Sequence, residues 1–378
     1  LKKYPGTASM NKMDCKRVWV EIDLHAIRQN YARIAKTVKP AKVMAVLKAN
    51  AYGLGIVPIA QALIKAGVFR IGVAGLKEAL QVTEKFNFSV QIIGSLLKSE
   101  IPLAVKNNII CPVTDYPMAQ SLSKEALKQK KKATVHFLID TGMGRLGMPC
   151  FTAADEIRKA MKLPNLIFEG VYSHFSNANN SRHPKTNEQV ALFKNILNEI
   201  SGDRFPLIHM ANSDAINNFN ATYFNMVRTG INLYGVFDLH GRRLYNLKPT
   251  LAFKSILIAR RALPAGFTIG YGCTHTLFRD SIVGTIPAGY ADGIPMSASN
   301  SGKVLIRGTE CPVIGRISMD YTTIDLTKVP DIKPGEEVVI IGRSGKREIT
   351  VEDWAKNKQS HPYDIICSLG NRVERIYK

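Results

Sequence analysis

Between residues 24 and 237 the chain alternates eight times between short, β-rich apolar runs and longer segments of helical periodicity. The runs fall at 42–48, 70–74, 91–94, 109–113, 134–140, 167–173, 207–210 and 225–227. Amphipathic helices fall between most of them, at 56–65, 76–84, 115–128 and 187–200, and one at 24–36 precedes the first. That first helix carries Leu24, Ile27, Tyr31 and Ile34 as a single apolar stripe. Strands separated each time by a helix pair in parallel, because a parallel neighbour needs a long crossover. Eight such units over somewhat more than 200 residues fit a closed (β/α)8 TIM-like barrel. A doubly wound open sheet is the alternative, but no G-x-G-x-x-G follows the first strand.

After about residue 245 the texture changes. Strand-like runs at 253–259, 282–286, 303–306, 312–314 and 337–341 are separated by Gly and Pro turns, with little helical periodicity. This predicts an all-β C-terminal domain. The alternating run 17–22 is expected to join it, so the barrel would cover 23–245 and the β domain 246–378.

At 378 residues, 46% hydrophobic and 8% aromatic, the chain has the composition of a soluble globular protein with room for two cores. No apolar run approaches the roughly 18 residues that span a bilayer. Residues 1–16 are polar and lack a signal core, so a cytoplasmic protein without a membrane role is expected; Met10 and Met13 are candidate starts. The six cysteines (Cys15, Cys111, Cys150, Cys273, Cys311, Cys367) form no C-x-x-C pair and have no histidine at ligand spacing. That predicts reduced thiols and no metal. The net charge of +21 admits a nucleic acid or an anionic small molecule. However, the lysines are dispersed, and the densest run (Lys128, Lys130, Lys131, Lys132) lies at a predicted helix end, where cations complement the dipole. No basic motif interleaved with aromatics is present, so no nucleic-acid partner is expected.

Candidate chemistry gathers at predicted strand ends, the face on which α/β barrels carry their sites. Lys48 closes the apolar run Val43–Leu47 and is followed by Tyr52, Gly53 and Gly55. A buried lysine favours its neutral amine, the form that attacks a carbonyl or holds a Schiff base; the ordinary reading is a snorkelling side chain. Arg145 lies in the glycine-rich run Asp140-Thr141-Gly142-Met143-Gly144-Arg145-Leu146-Gly147, suited to hold a carboxylate or phenolate bidentately. His174, Asn212, Ser213 and Arg228 sit at the ends of the sixth, seventh and eighth strands. Asn212 and Ser213, with the backbone N–H groups of Gly230 and Ile231, make a phosphate cradle. Each has an ordinary structural reading: His174 as a core residue, Asn212 as a helix cap, Arg228 as an ion pair. Their coincidence on one barrel face favours function.

Taken together, these segments resemble the alanine racemase family, pyridoxal-phosphate enzymes with an N-terminal barrel and a C-terminal β domain. The motifs that carry the resemblance are A-V-L-K-A-N-A-Y-G-L-G, D-T-G-M-G-R-L-G, Y-S-H-F-S-N-A, H-M-A-N-S-D-A, V-R-T-G-I-N-L-Y-G, G-Y-G, A-G-Y-A-D-G, G-R-I-S-M-D and the ending R-V-E-R-I-Y. The resemblance implies that Lys48 forms the internal aldimine with pyridoxal 5'-phosphate and acts as one α-proton base. It implies Tyr52, Ser213 and Tyr363 as phosphate-binding hydroxyls, Arg228 facing the pyridine nitrogen, and His174 buttressing it. A guanidinium keeps its proton, so the ring nitrogen would stay largely unprotonated and transamination would be limited. Tyr271 matches the second base; a phenol with a reference pKa of about 10 needs nearby cations to ionise at neutral pH. In the family it comes from the other subunit. Met319 and Tyr290 would likewise come from the partner, the Met319 N–H near the substrate carboxylate and Tyr290 at the entrance. The resemblance thus implies a C2 homodimer with shared active sites, a small amino-acid substrate, and D-alanine made for peptidoglycan.

One departure stands out. Where the family commonly has a lysine, often carbamylated, this chain has Leu138. Leucine offers no anion to orient Arg145, so another residue, a bound anion or water must do so, and no carbamylated lysine is expected. Three rivals are a broader-specificity racemase, a decarboxylase of the same architecture and a single-barrel pyridoxal-phosphate carrier. The decarboxylase predicts a glycine-rich phosphate loop and a cysteine acid, where this chain has Asn212-Ser213 and Tyr271. The carrier would lack the segment after residue 245.

Overall fold

The computed structural model describes residues 16–244 and 246–378. Met10, Met13, Cys15 and the boundary position 245 lie outside the described residues. Eight parallel strands form one sheet: Lys42–Val46, Arg70–Val73, Val90–Ile92, Cys111–Val113, Ala133–Asp140, Leu166–Tyr172, Leu207–His209 and Met226–Thr229. Met226–Thr229 pairs with Lys42–Val46, bringing last beside first. The ring closes between the third and fourth strands, where Gln91 bridges Ile110 and the Ile92 N–H donates to Ile110 O at 3.0 Å. This is the expected (β/α)8 barrel. A two-residue strand, Met148–Pro149, adds to the fifth.

Local chemistry explains the helices. Leu24–Thr37 starts at Asp23, whose carboxylate accepts from Ala26 N at 2.8 Å, and buries Ala26, Ile27, Tyr31 and Ile34. Removing such a cap costs about 1 kcal/mol, less than the roughly 1.5–3 kcal/mol from burying either Ile27 or Ile34. Tyr116–Lys128 repeats the device, with Asp115 accepting from Met118 N at 2.7 Å.

Internal contacts divide the chain into two units. One comprises Ile22–Leu251, Val351–Ser368 and Tyr377–Lys378; the other comprises Ala252–Thr350, Leu369–Ile376 and the described residues before Ile22. The second unit is built on antiparallel pairing. One sheet runs Thr309–Pro312, Lys303–Ile306, Glu337–Ser344, Leu251–Ile256, Val18–Ile22 and Glu374–Tyr377. Another joins Ala259–Leu263, Ser281–Ile286 and Thr322–Asp325.

Two details differ from the sequence reading. The run 253–259 is not one strand: at Leu257 and Ile258 the chain passes from one sheet to the other, their N–H groups donating to Glu336 O and Thr285 O respectively. Two helices, Val351–Lys358 and Pro362–Cys367, interrupt the β-rich segment and belong with the barrel unit. They are only eight and six residues long, so they carry little periodic signal, although Trp354, Ile365 and Ile366 are buried. The five described cysteines form no disulfide among themselves, and no described helix is long and apolar enough to cross a membrane.

Candidate active site

The first barrel strand ends at Val46, and Lys48 opens a short turn instead of closing the strand. The next four residues, Ala49 to Tyr52, have φ between 53° and 59°. L-residues rarely adopt this left-handed conformation, which costs about 1–2 kcal/mol each. Side chains hold the turn: Asn50 Oδ1 accepts from Ile56 N at 2.9 Å, and Glu78 accepts from Asn50 N at 3.2 Å and Ala74 N at 2.9 Å. Such strain persists only where the surroundings over-determine it. Its result is that Lys48 stands at the barrel mouth while Tyr52 is buried.

Lys48 and Arg228 line both of two neighbouring cavities. One, of about 230 Å³, also has Leu138, Arg145, Tyr172 and His174 in its wall. The other, of about 290 Å³, has Tyr52, Asn212, Ser213, Gly230 and Tyr363. Packing around the Lys48 amine, and then the Arg145 guanidinium, lower its pKa from the usual lysine value, although the residue as a whole is exposed. A larger share of neutral amine follows.

The second cavity is a ring of hydroxyls. Ser213 Oγ accepts from Gly230 N at 2.9 Å and lines the cavity together with Tyr363. The rings of Tyr52 and Tyr363 lie 5.8 Å apart. Tyr52 is so close to Gly230 that a Cβ there would fall 2.0 Å from its hydroxyl oxygen. Thus the Gly230 N–H donates to Ser213, and the missing side chain at Gly230 leaves room for Tyr52. Ile231 is buried at the start of the 3₁₀ turn that follows. Asn212 is the cap of Ser213–Asn218, accepting from Ala215 N at 2.9 Å, and also lines the cavity. Asp214, Asp238 and His361 form its outer wall. Burial, and then Asp238, push the Asp214 carboxyl up to about 6, with His361 opposing.

Arg228 lies within the eighth strand, 3% exposed. Among the described residues it forms no ion pair, unlike the ordinary reading. Its guanidinium donates to Ser173 O (2.8 Å), His209 O (3.1 Å) and Met210 O (3.1 Å), and to the imidazoles of His209 (2.7 Å) and His174 (3.3 Å). His174 is pushed down to about 3, by burial first and then by Arg228, Arg145 and Lys48, so it is a neutral acceptor here.

The Arg145 loop is folded by Asp140, whose carboxylate accepts from Gly142 N (2.9 Å), Met143 N (2.8 Å) and Gly144 N (2.9 Å). Leu138 is buried against Gly147, where a Cβ would meet it at 2.9 Å. The Arg145 side chain is exposed and has no hydrogen-bond or ion-pair partner among the described residues. Among the described residues, no side chain takes the place of the support missing at Leu138.

In the β unit, Tyr271 occupies a turn with φ of +72° at Gly270 and +74° at Gly272, and it is 72% exposed. Tyr290 and Met319 come together: Tyr290 N donates to Ser318 O (3.0 Å) and Ala291 N to Met319 O (3.2 Å). Arg372 clamps this corner, holding both oxygens of buried Asp292 (2.7 and 2.9 Å), Asp320 (2.7 Å) and Met319 O (3.2 Å). Sequence reading passes over Arg372 and His209, although both lie inside quoted motifs. Their signal is a charged or polar residue inside an apolar strand or beside a glycine turn.

These residues fit pyridoxal phosphate. Buried hydroxyls on Tyr52, Ser213 and Tyr363 would hold its phosphate, Lys48 its aldehyde carbon, and Arg228 would serve its ring edge. Family profiles agree: "Alanine racemase, N-terminal domain" matches residues 22–238 and "Alanine racemase, C-terminal domain" matches 250–377. Alanine racemase of Halothermothrix orenii is 37% identical, covering 98% of this chain and 99% of its own. Alanine racemase 1 of Caldanaerobacter subterraneus subsp. tengcongensis is 39% identical over 95% and 94%. Alanine racemase of Bartonella henselae, solved with covalently bound pyridoxal phosphate, superposes with a TM-score of 0.85 at 33% identity, covering 96% and 99%.

Proposed function

The chain belongs to the alanine racemase family and interconverts L- and D-alanine with pyridoxal phosphate, and we propose that Lys48 and Tyr271 are its two acid–base groups. When bound, the cofactor supplies the electron sink that makes the substrate's α-hydrogen acidic. Lys48 Nζ takes or returns the proton on one face of the α-carbon. Tyr271 Oη does so on the other. A single base on one face cannot easily invert the centre, so two groups on opposite faces are required.

Tyr52, Ser213 and Tyr363 donate hydroxyl hydrogens to the cofactor phosphate. Neutral His174 and the carbonyls of Ser173, His209 and Met210 fix the plane of Arg228. That guanidinium stays charged and leaves the ring nitrogen largely unprotonated. Arg145 and the Met319 N–H take the substrate carboxylate, and Tyr290 guards the entrance.

Tyr271 (72% exposed), Met319 (52%) and Tyr290 (40%) are each exposed on the β unit. Such exposure supports their use in trans, in a C2 homodimer whose sites are each completed by a partner. The enzyme would work in the cytoplasm and supply D-alanine for peptidoglycan.

The observation that carries this reading is that Lys48 and Arg228 together line both the hydroxyl-lined cavity and the cavity of Arg145. Racemisation of L- and D-alanine, with serine, lysine and arginine in parallel, tests it. Lys48→Ala should lose both turnover and the cofactor absorbance at about 420 nm. Tyr271→Phe should keep the absorbance and racemise poorly. Full activity in Tyr271→Phe would refute the two-base assignment, and release of carbon dioxide would refute racemisation.

A further inference from the structure

Arg228 is a buried cation with no carboxylate among its hydrogen-bond partners in the described residues. Burial lowers it to about 10, so a counter-charge matters to its protonation. A path of described side chains leads to one. Arg228 Nη1 lies 2.7 Å from His209 Nδ1, His209 Nε2 lies 3.0 Å from His136 Nδ1, and His136 Nε2 lies 2.8 Å from Glu169 Oε2. Arg70 holds Glu169 in place, donating to both carboxylate oxygens at 2.8 and 2.9 Å, and to Gln91 Oε1 at 3.2 Å.

The two ends decide the direction of every bond between them. A guanidinium only donates. The carboxylate only accepts: burial would raise it, but hydrogen bonds from His136 and Arg70 hold it at about 2. Burial also lowers both histidines, which keeps them neutral. With neutral rings, a single tautomer pattern makes all three bonds, Nδ1 accepting and Nε2–H donating in both His209 and His136. Arg70 Nη1 also lies 3.2 Å from His136 Nε2. In this pattern both are donors, so the pair is a contact and not a bond. His209 is further held by stacking on Tyr172, with centroids 4.7 Å apart and planes at 5°.

We propose that Glu169, acting through His136 and His209, is the remote counter-ion of Arg228 and a positioning residue for racemisation. It fixes both imidazole tautomers, and the polarised chain makes His209 Nδ1 a better acceptor for the guanidinium. Arg228 thereby keeps its proton instead of sharing it with the cofactor ring. This rests on Arg228 facing that ring. Without the Glu169 charge the guanidinium gives up its proton more readily and the electron sink strengthens. A larger share of turnovers then ends with the proton on the cofactor instead of on the α-carbon, which is transamination.

Histidine ¹⁵N NMR of the apoprotein and the cofactor-loaded enzyme tests the relay directly. Both His136 and His209 are expected to be neutral, protonated at Nε2 and bare at Nδ1, from mildly acidic to mildly alkaline pH. An Nδ1–H tautomer or an imidazolium at either ring overturns the proposal. Glu169→Gln holoenzyme should lose the fixed pattern, and its transamination per racemisation turnover should rise roughly threefold, the effect of about half a pK unit at Arg228. An unchanged partition in a folded Glu169→Gln enzyme also overturns it. If that variant does not fold, the wild-type ¹⁵N spectra decide alone, because an Nδ1–H tautomer or an imidazolium at either ring breaks the path from Glu169 to Arg228. Wild-type alanine racemisation is measured alongside. Its absence would sink the functional reading while leaving the tautomer result to stand alone.

Discussion

Replacing Gly230 with alanine should damage the enzyme in two separable ways. An ideal Cβ at this position lies 2.0 Å from the Tyr52 hydroxyl oxygen and 3.0 Å from Cζ. The first distance is more than 1 Å short of van der Waals contact (about 3.5–4.0 Å between carbons), so the hydroxyl must move. Its room is limited, because Tyr52 is buried between the rings of Tyr234, 5.5 Å away, and Tyr363, 5.8 Å away. Overpacking of this kind costs about 1–3 kcal/mol. Loss of one hydrogen bond to a charged phosphate costs a further ~1.5–3 kcal/mol in cofactor binding, roughly a 10- to 100-fold rise in Kd. Urea unfolding of the apoprotein reads the first effect, and spectrophotometric titration with pyridoxal phosphate reads the second. Tyr52→Phe separates them. In that background the nearest ring atom is the one at 3.0 Å, so Gly230→Ala should cost less than half as much stability, while cofactor affinity stays low. Equal destabilisation in both backgrounds would show that the hydroxyl is not the clash. Wild-type cofactor affinity in Gly230→Ala would show that the phosphate binds elsewhere.

Three other outcomes are expected. Arg372→Ala leaves the carboxylate of Asp292 (1% exposed) without its cation; stability should fall by roughly 1–3 kcal/mol, less than a fully buried pair would lose because Arg372 is half exposed. KM for alanine should rise more than cofactor affinity falls, and an unchanged KM would dissociate the clamp from Tyr290 and Met319. Asp214 is held at about 6, above its unfolded value, so the native state binds more protons between about pH 4 and 6 and stability falls as pH rises through that window. Asp214→Asn should flatten this slope in urea titrations at several pH values; a slope equal to wild type removes Asp214 as its source. Finally, with Leu138 in place, intact-protein mass and electron density should show no carbamate on any lysine contacting Arg145. Bicarbonate should leave the rate unchanged, and activation by it would contradict this.

Some of the site was legible because its signal is local. Lys48 announces itself as an amine ending an apolar run, and Arg228 as a charge in a strand that should be apolar. The glycines around Tyr271 mark a turn whose positive φ few other residues adopt. The left-handed turn at 49–52 was invisible, since Ala49, Asn50 and Ala51 are all acceptable helix residues. Asn50 and Glu78 impose it, the latter from 28 residues away. The clamp that Arg372 makes carries no local signal for the same reason: its partners Asp292 and Asp320 are 80 and 52 residues distant.

The alternation of apolar runs and amphipathic helices determined the barrel, and with it the face on which Lys48, Arg145, His174, Ser213 and Arg228 meet. Periodicity suffices for that, because burying one face of every element leaves few closed arrangements. Tertiary structure alone decided what each residue touches. It made Gly230 the space for a tyrosine, brought Tyr363 to the barrel on a helix beyond the β-rich segment, and gave Arg228 two imidazoles and three carbonyls in place of a carboxylate. Those choices depend on which side chains from distant strands point inward at one level of the barrel. Strand pairing and register set that, and no sequence window contains them.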